Sequence, residues 1–183
     1  MKRRRVAVCR PTALAAIGYR MKSNKPYLLI SACLLGEGCR YDGRSVPEAL
    51  ATDKYTARQV LERLRERFVL VPVCPEVAGG LPVPRLPSER VGERVVRCDG
   101  EDVTEAYRRG AACATSMARA YGARVALLKA KSPSCGKGRI YDGTFSRTLC
   151  DGNGVTVDCL LAEGVTVYTE QELARVLGED EKK

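Results

Sequence analysis

The cysteines are the side chains of this sequence that are best placed to do chemistry. The chain has nine of them in 183 residues and contains no histidine. Without histidine, Ser-His-Asp and Cys-His catalysis, Cys/His zinc fingers and His-ligated metals are excluded. An odd number of irregularly spaced cysteines, with no convincing signal peptide, is not typical of a secreted disulfide scaffold. We therefore expect free thiols in a cytoplasmic protein, where clustered cysteines more often bind a metal or take part in catalysis.

Three of the cysteines, Cys33, Cys74 and Cys135, lie in turns rich in glycine or proline, where packing alone rarely decides the side chain. Thiolates select soft metals, which are zinc, copper(I) and the iron of iron–sulfur clusters. Structural zinc usually has four protein ligands, often in CxxC pairs, and this sequence contains no CxxC. Three scattered thiolates leave one metal position open, and an open iron can act as a Lewis acid. Cys39, six positions after Cys33, is a possible fourth ligand.

Candidate acid–base groups stand next to these cysteines. Glu76 comes two residues after Cys74, and Ser132 and Ser134 precede Cys135. A carboxylate can act as a general base, and hydroxyls can stabilise charge on a substrate. Structural interpretations are also open, since such a glutamate can cap a helix and such serines can close a turn. Basic residues that could bind an anionic substrate group are Lys129, Lys131, Lys137, Arg40 and Arg85.

The elements that must position these residues are predicted from the hydrophobic pattern. Apolar runs rich in Val, Leu and Ile, without polar alternation, predict buried parallel strands at residues 27–32, 68–73, 124–129 and 165–169. Helical patterns separate the strands at residues 56–68, 102–122 and 169–178. This alternation predicts the α/β fold class, as a single three-layer Rossmann-like domain with a mainly parallel sheet.

Capping residues and long loops complete this prediction. Asp102 or Thr104 is the expected N-cap of the second helix and Gly122 its C-cap, while Thr169 and Glu172 form a capping box for the third. Two segments are predicted as long loops, the second with at most one short helix: residues 74–90 and 130–156. Loops of this length in a compact domain are usually functional.

The predicted strands bring the three cysteines together. Cys33 and Cys74 directly follow the first and second strands, and Cys135 lies six residues past the third. The carboxyl ends of parallel strands share one edge of a sheet, and ligands bind at that edge. We therefore expect these three thiols to converge on one site at the carboxyl ends of the strands.

The formal charge of +9 is concentrated at the N-terminus. Residues 1–20 contain six basic residues and no acid, which leaves +3 for the rest. We expect residues 1–20 to be a basic extension, either disordered or upstream of a natural start at Met21, with a targeting segment as the alternative. The remaining residues, 21–183, would form one domain. RNA is then a possible but not favoured partner, and no apolar stretch approaches the ~20 residues that span a bilayer.

Five ordered motifs resemble those of the thiouracil desulfidase family (TudS). They are SACLLGEGCRYDG, PVCPEVAGGLPVPRLPSE, DVTEAYRRGA, LLKAKSPSCG and IYDGTFSRTLCDGNGVT. The resemblance runs from about Tyr27 to Val167, and residues 1–20 fall outside it.

The resemblance implies a cofactor and a reaction. The cofactor is a [4Fe-4S] cluster bound by three cysteines, with the fourth iron free. Carried over by motif, the ligands correspond to Cys33, Cys74 and Cys135, and Cys39 becomes a weaker candidate. The substrate is a thiolated uracil, such as 4-thiouracil, 2-thiouracil or a 4-thiouridine nucleotide, from which sulfur leaves as sulfide.

The resemblance also implies catalytic residues, for which our choices are Glu76, Ser132 and Ser134. Glu76 would deprotonate a water that attacks the ring carbon, and the serines or loop N–H groups would stabilise charge on the ring. The reaction would be hydrolytic, with no net redox change.

Two alternatives to this reaction remain open. A zinc-bound, non-catalytic nucleic-acid-binding protein would use four ligands including Cys39 and would bind with steep salt dependence. A metal-free thiolate enzyme would be colourless and would have one thiol of low pKa. Few aromatic residues, 5% with no Trp, count against the first alternative.

Overall fold

The structure, a computed structural model, describes residues 24–179. Its centre is a four-stranded parallel sheet with the strand order β2-β1-β5-β8. The strands are β1 (Tyr27–Ser31), β2 (Val69–Val73), β5 (Val125–Leu128) and β8 (Thr166–Thr169). Each lies within one residue of the predicted run at either end, so the strand predictions are confirmed.

Helices cover both faces of the sheet. They are α1 (Ala57–Arg67), α2 (Pro75–Ala78), α3 (Thr104–Tyr121), α4 (Val155–Ala162) and α5 (Leu173–Leu177). Leu29 of β1 packs in one core cluster with residues of α3 and α4. Leu28 and Ile30 pack in a second cluster with residues of α1 and α5. Because adjacent strand residues point to opposite faces, burial of both faces explains the continuous apolar runs. The three-layer α/β prediction is confirmed.

The helix ends match the predictions in part. Gly122 closes α3 in the left-handed region, at φ 66°, as predicted. The N-cap of α3 is Val103, and neither Asp102 nor Thr104 takes that position. Asp102 Oδ1 nevertheless accepts a hydrogen bond from Thr104 N at 2.9 Å, so the aspartate still satisfies an amide of the first turn.

The capping box of Thr169 and Glu172 is present. It opens a 3₁₀ turn, Glu170–Glu172, that continues directly into α5. The helix predicted at 169–178 is therefore split into two short elements.

The prediction of two long loops is wrong, because both segments contain regular structure. The first contains α2 and leads into a hairpin of β3 (Ser88–Val91) and β4 (Arg94–Arg97). The second contains a hairpin of β6 (Arg139–Tyr141) and β7 (Leu149–Asp151) and the start of α4. The hairpin strands are short and rich in charged residues, so they lack the apolar run that marks a buried strand.

The basic extension predicted for residues 1–20 lies outside the described residues, and so does Cys9. Within residues 24–179, the structure contains no helix with both the length and the apolar character needed to cross a membrane.

Candidate functional site

A cavity of about 380 Å³ opens at the carboxyl ends of β1, β2 and β5. Its floor includes the ends of these strands, at Ser31, Val73 and Lys129. The chain passes from β1 to β2 on one side and later places β5 on the other side of β1. Such a reversal of strand order opens a crevice where α/β proteins bind ligands.

Cys33, Cys74 and Cys135 all line this cavity. Cys33 lies in a 3₁₀ turn, Ala32–Leu35, that directly follows β1, and Cys74 is the N-cap residue of α2. Cys33 and Cys135 are buried, and Cys74 is partly buried. The convergence expected from the strand ends is therefore present, while the role of these thiols as ligands stays a prediction.

Cys39 is a fourth buried thiol on the cavity wall. Hydrogen bonding from its thiol lowers the pKa of Cys33 and the pKa of Cys74. The same interactions raise the pKa of Cys39 itself. The hydrogen bonds of Cys39 therefore favour the thiolate form of its two neighbours over that of Cys39 itself.

Cys135 has a different environment. Burial is the main reason that its pKa is raised, with the negative charge of Glu76 as a further cause. A thiolate at this position therefore needs a positive partner, such as a metal centre, to be stable.

A single ion does not fit this arrangement of thiols. Between residues 24 and 179, no group of three or more Cys, Asp or Glu side chains is close enough together to hold one metal ion. The closed four-ligand geometry of structural zinc is therefore not preformed. A cubane cluster is bound through separate irons, so its thiolates lie further apart, and three thiols around one cavity suit that donor set.

Glu76 points into the cavity from α2 and is held by Arg85. The Arg85 Nε donates to Glu76 Oε2 at 3.0 Å, and Nη2 donates to the same oxygen. The Arg85 side chain is only 5% exposed, so the pair is shielded from water. Arg85 Nη2 also donates to the carbonyl of Cys39 at 3.2 Å, which ties Glu76 to the turn after β1.

Ser132 lies beside the other oxygen of Glu76. Its Oγ donates to Glu76 Oε1 at 3.4 Å. The same Oγ accepts the backbone N–H groups of Ser134 and Cys135, at 3.0 and 3.1 Å. Ser132 therefore closes the turn that carries Cys135 and also faces the cavity, so the structural and the catalytic interpretations both apply to it.

The structure does not bring Ser134 to the cavity. Its side chain is fully buried, and its Oγ is 2.9 Å from Thr156 Oγ1 in α4. This contact fixes the start of α4 against the Cys135 turn.

Several cavity residues were not selected from the sequence. Tyr107 of α3 lines the wall, and burial raises its pKa so that it stays a neutral hydroxyl. Glu89 of β3 also lines the cavity, together with Phe145 and Arg147 of the β6–β7 loop. All four lie within the motifs that carry the family resemblance, which is the signal that could have marked them. Hairpin pairing and helix packing bring them to the site.

Two basic residues of the cavity have no acidic partner in the part of the chain that the structure describes. Lys129 is paired with Glu170 and Arg40 with Asp42. Lys131 and Arg147 also line the cavity, and neither forms a salt bridge within the described chain. Both have left-handed backbone conformations, at φ 66° and φ 65°, which L-residues adopt rarely. Lys137, the remaining predicted cation, is paired with Glu172 and does not line the cavity.

The chain is similar to a known protein family, to a solved structure and to a bacterial protein. A family model described as 2-thiouracil desulfurase matches residues 28–172. A solved structure of a [4Fe-4S]-dependent thiouracil desulfidase, TudS, is 43% identical, with a TM-score of 0.73, and the match covers 83% of this chain and 95% of that one. The protein YbbK of Bacillus subtilis (strain 168) is 38% identical over 160 residues, which are 82% of this chain and 99% of YbbK.

Proposed function

The chain belongs to the 2-thiouracil desulfurase family, and from this we propose that it removes sulfur from a thiolated uracil with the help of a [4Fe-4S] cluster. The observation that carries the proposal is the meeting of Cys33, Cys74 and Cys135 at one cavity beside Glu76. The similar solved structure is described as [4Fe-4S]-dependent and as a thiouracil desulfidase, which supports the same reaction class.

Three thiols would hold the cluster, and each comes from a separate strand end. They are Cys33, Cys74 and Cys135. When bound, the cluster would supply an iron without a protein ligand, which is a thiophilic Lewis acid that polarises a C=S bond. Cys39 would remain protonated and would support Cys33 and Cys74 by hydrogen bonding.

Glu76 would act as the general base that takes a proton from the attacking water. Its Oε2 is occupied by Arg85, so Oε1 is the oxygen available to a water in the cavity. Arg85 orients the carboxylate through its two hydrogen bonds to Oε2. The Ser132 hydroxyl, next to Oε1, would help to orient that water. The reaction would be hydrolytic and would involve no net redox change.

The unpaired cations favour a nucleotide over a free base as substrate. Lys131 and Arg147 line the cavity without acidic partners among residues 24–179, and a phosphate group would satisfy both. The cavity of about 380 Å³ is of the size that holds a small molecule rather than a folded RNA. A 4-thiouridine nucleotide is therefore our preferred substrate over 4-thiouracil or 2-thiouracil.

The experiment is anaerobic reconstitution with iron and sulfide, followed by incubation with 4-thiouridine monophosphate and, separately, with 4-thiouracil. We expect about four irons per chain, loss of the thiocarbonyl absorption and release of sulfide. A higher kcat/KM for the nucleotide would support the role given to Lys131 and Arg147. A colourless protein that binds zinc and releases no sulfide would contradict the proposal.

The ligand assignment is tested by Cys135→Ser, with Cys159→Ser as the matched control. Cys159 is a partly buried thiol of α4 that does not line the cavity. Cys135→Ser should lose most of its iron, because a serine is a poor soft-metal ligand, while Cys159→Ser should keep it. Full iron loading of Cys135→Ser, measured per folded chain, would show that the ligand set is different.

A further inference from the structure

Glu89 is a buried carboxylate on the wall of the cavity. It lies in β3, its residue is only 7% exposed, and it forms no salt bridge within residues 24–179. Ionised side chains are rarely buried without a partner, because removing them from water is costly. Folding of the β3–β4 hairpin alone does not explain why this carboxylate is buried.

One oxygen of Glu89 holds the β6–β7 loop in place. Oε2 accepts the backbone N–H groups of Gly143 and Phe145, at 2.8 and 3.0 Å. Gly143 lies so close to β3 that an added Cβ would be 2.2 Å from Val91 Cγ2. The loop is thereby fixed against the β3–β4 hairpin, with Phe145 on the cavity wall.

The other oxygen, Oε1, has no hydrogen-bond partner within the described chain. Within the described chain, every side-chain nitrogen or oxygen that is completely buried has a hydrogen-bond partner. Because Oε1 has no partner, it is not completely buried and stays accessible to solvent. Because Glu89 lines the cavity, the cavity is the space to which Oε1 is open. A carboxylate oxygen without a hydrogen-bond partner in the described chain is therefore available to a ligand in the cavity.

The substrate offers a matching donor. A uracil ring carries an N–H between its two carbonyl positions, and the carbon that bears sulfur in 4-thiouracil is adjacent to that nitrogen. An ionised carboxylate only accepts hydrogen bonds, and a charged acceptor for an N–H donor is among the stronger pairings.

We propose that Glu89 determines specificity for the pyrimidine ring, with Oε1 accepting the ring N3–H while Oε2 holds the Phe145 loop against the ring. This inference rests on the proposed function, because it assumes a thiolated uracil in the cavity. It adds an acceptor that distinguishes a ring with a free N3–H from one without it. A site built to accept such a hydrogen bond rejects analogues that lack the donor.

The test combines a protein change with a substrate change. The reconstituted wild-type enzyme and its Glu89→Ala variant are each assayed with 4-thiouridine monophosphate and with its N3-methyl derivative. The wild type should prefer the unmethylated nucleotide in kcat/KM by about 10- to 100-fold, the range for loss of a hydrogen bond to a charged group. In Glu89→Ala this preference should fall to within about threefold, because the acceptor is absent and the methyl group gains space.

Two further variants and a binding measurement separate the effect of the hydrogen bond from changes in folding or in turnover. Glu89→Gln keeps an oxygen acceptor for the loop but presents an NH2 donor to the ring N3–H, so it should lose the preference as Glu89→Ala does while the loop stays in place. Glu93→Ala, a control in the exposed turn of the same hairpin, should keep all of the preference. Binding of the products, uridine monophosphate and its N3-methyl derivative, should show the same pattern by calorimetry.

The outcomes separate the two proposals. If the wild type desulfurises both substrates equally, or if Glu89→Ala keeps the full preference, the role of Glu89 is wrong while the proposed function stands. If the loaded wild type releases no sulfide from any thiolated uracil, the proposed function fails first.

Discussion

The Glu76 carboxylate has two different oxygens, one held by Arg85 and one next to Ser132. This asymmetry makes it the strongest candidate for a general base in the cavity. Glu76→Gln keeps the size of the side chain but removes its basicity. We expect the visible absorption of the cluster to be unchanged and kcat to fall at least about 100-fold. Glu101→Gln, on the surface, is the control, and near-normal turnover of Glu76→Gln would exclude the assignment.

Ser132 and Ser134 look equivalent in the sequence, but their contacts differ. Ser132→Ala should lower kcat by about 10- to 100-fold, because the hydroxyl beside Glu76 is lost. Ser134→Ala should lower the free energy of unfolding by about 1–3 kcal/mol, since buried Thr156 loses its partner, and should leave kcat near the wild-type value. Steady-state kinetics and denaturant unfolding of the two variants separate these effects. The opposite pattern would make Ser134 the catalytic serine.

At the scale of elements, α2 is held in place by a close approach to α3. A Cβ at Gly110 of α3 would lie 2.0 Å from the Pro75 carbonyl, and one at Gly79 would lie 1.9 Å from the Ala106 carbonyl. The two backbones therefore touch without intervening side chains. Because α2 carries Glu76 and follows Cys74, this contact sets the depth of both residues in the cavity.

Gly110→Ala tests this contact. In an ordinary helix the change would stabilise the protein by about 1 kcal/mol. Here the new methyl group would push α2 away, so we expect lower thermal stability and lower iron content after reconstitution. Ala112→Ser, on the exposed face of α3, adds one atom without this clash and is the control. A rise in melting temperature with full iron content in Gly110→Ala would contradict the interpretation.

The elements also show how far the sequence could be interpreted. The strands of the central sheet were predictable because burial on both faces requires continuous apolar runs, as in Tyr27–Ser31. The hairpins were not, because β3 and β4 are only four residues long and half of their residues are charged. Glu89 was missed for that reason, since nothing local shows that its carboxylate is buried against a distant loop. The burial of Ser134 depends equally on the packing of α4.

At the scale of the whole molecule, the charge is divided unevenly. The family match begins at residue 28, after a segment that carries most of the net positive charge. We expect deletion of residues 1–20 to leave iron content and kcat/KM for 4-thiouridine monophosphate unchanged, because residues within 24–179 supply the three cysteines and Glu76. Any binding to single-stranded RNA should become weaker and less dependent on salt. A large fall in kcat/KM for the nucleotide would show that the extension takes part in the site.

The three cysteines at the cavity also bear on how the protein is made. Cys33 and Cys74 are synthesised early, but Cys135 follows β5, the third strand of the sheet to be translated. A chain still emerging from the ribosome at β2 has two of the thiols and no cavity between them. If these three thiols hold the cluster as proposed, its delivery would have to wait until most of the polypeptide has been translated. The cell's iron–sulfur carrier proteins would then deliver the cluster to a folded chain with its cavity already formed, rather than to a nascent chain.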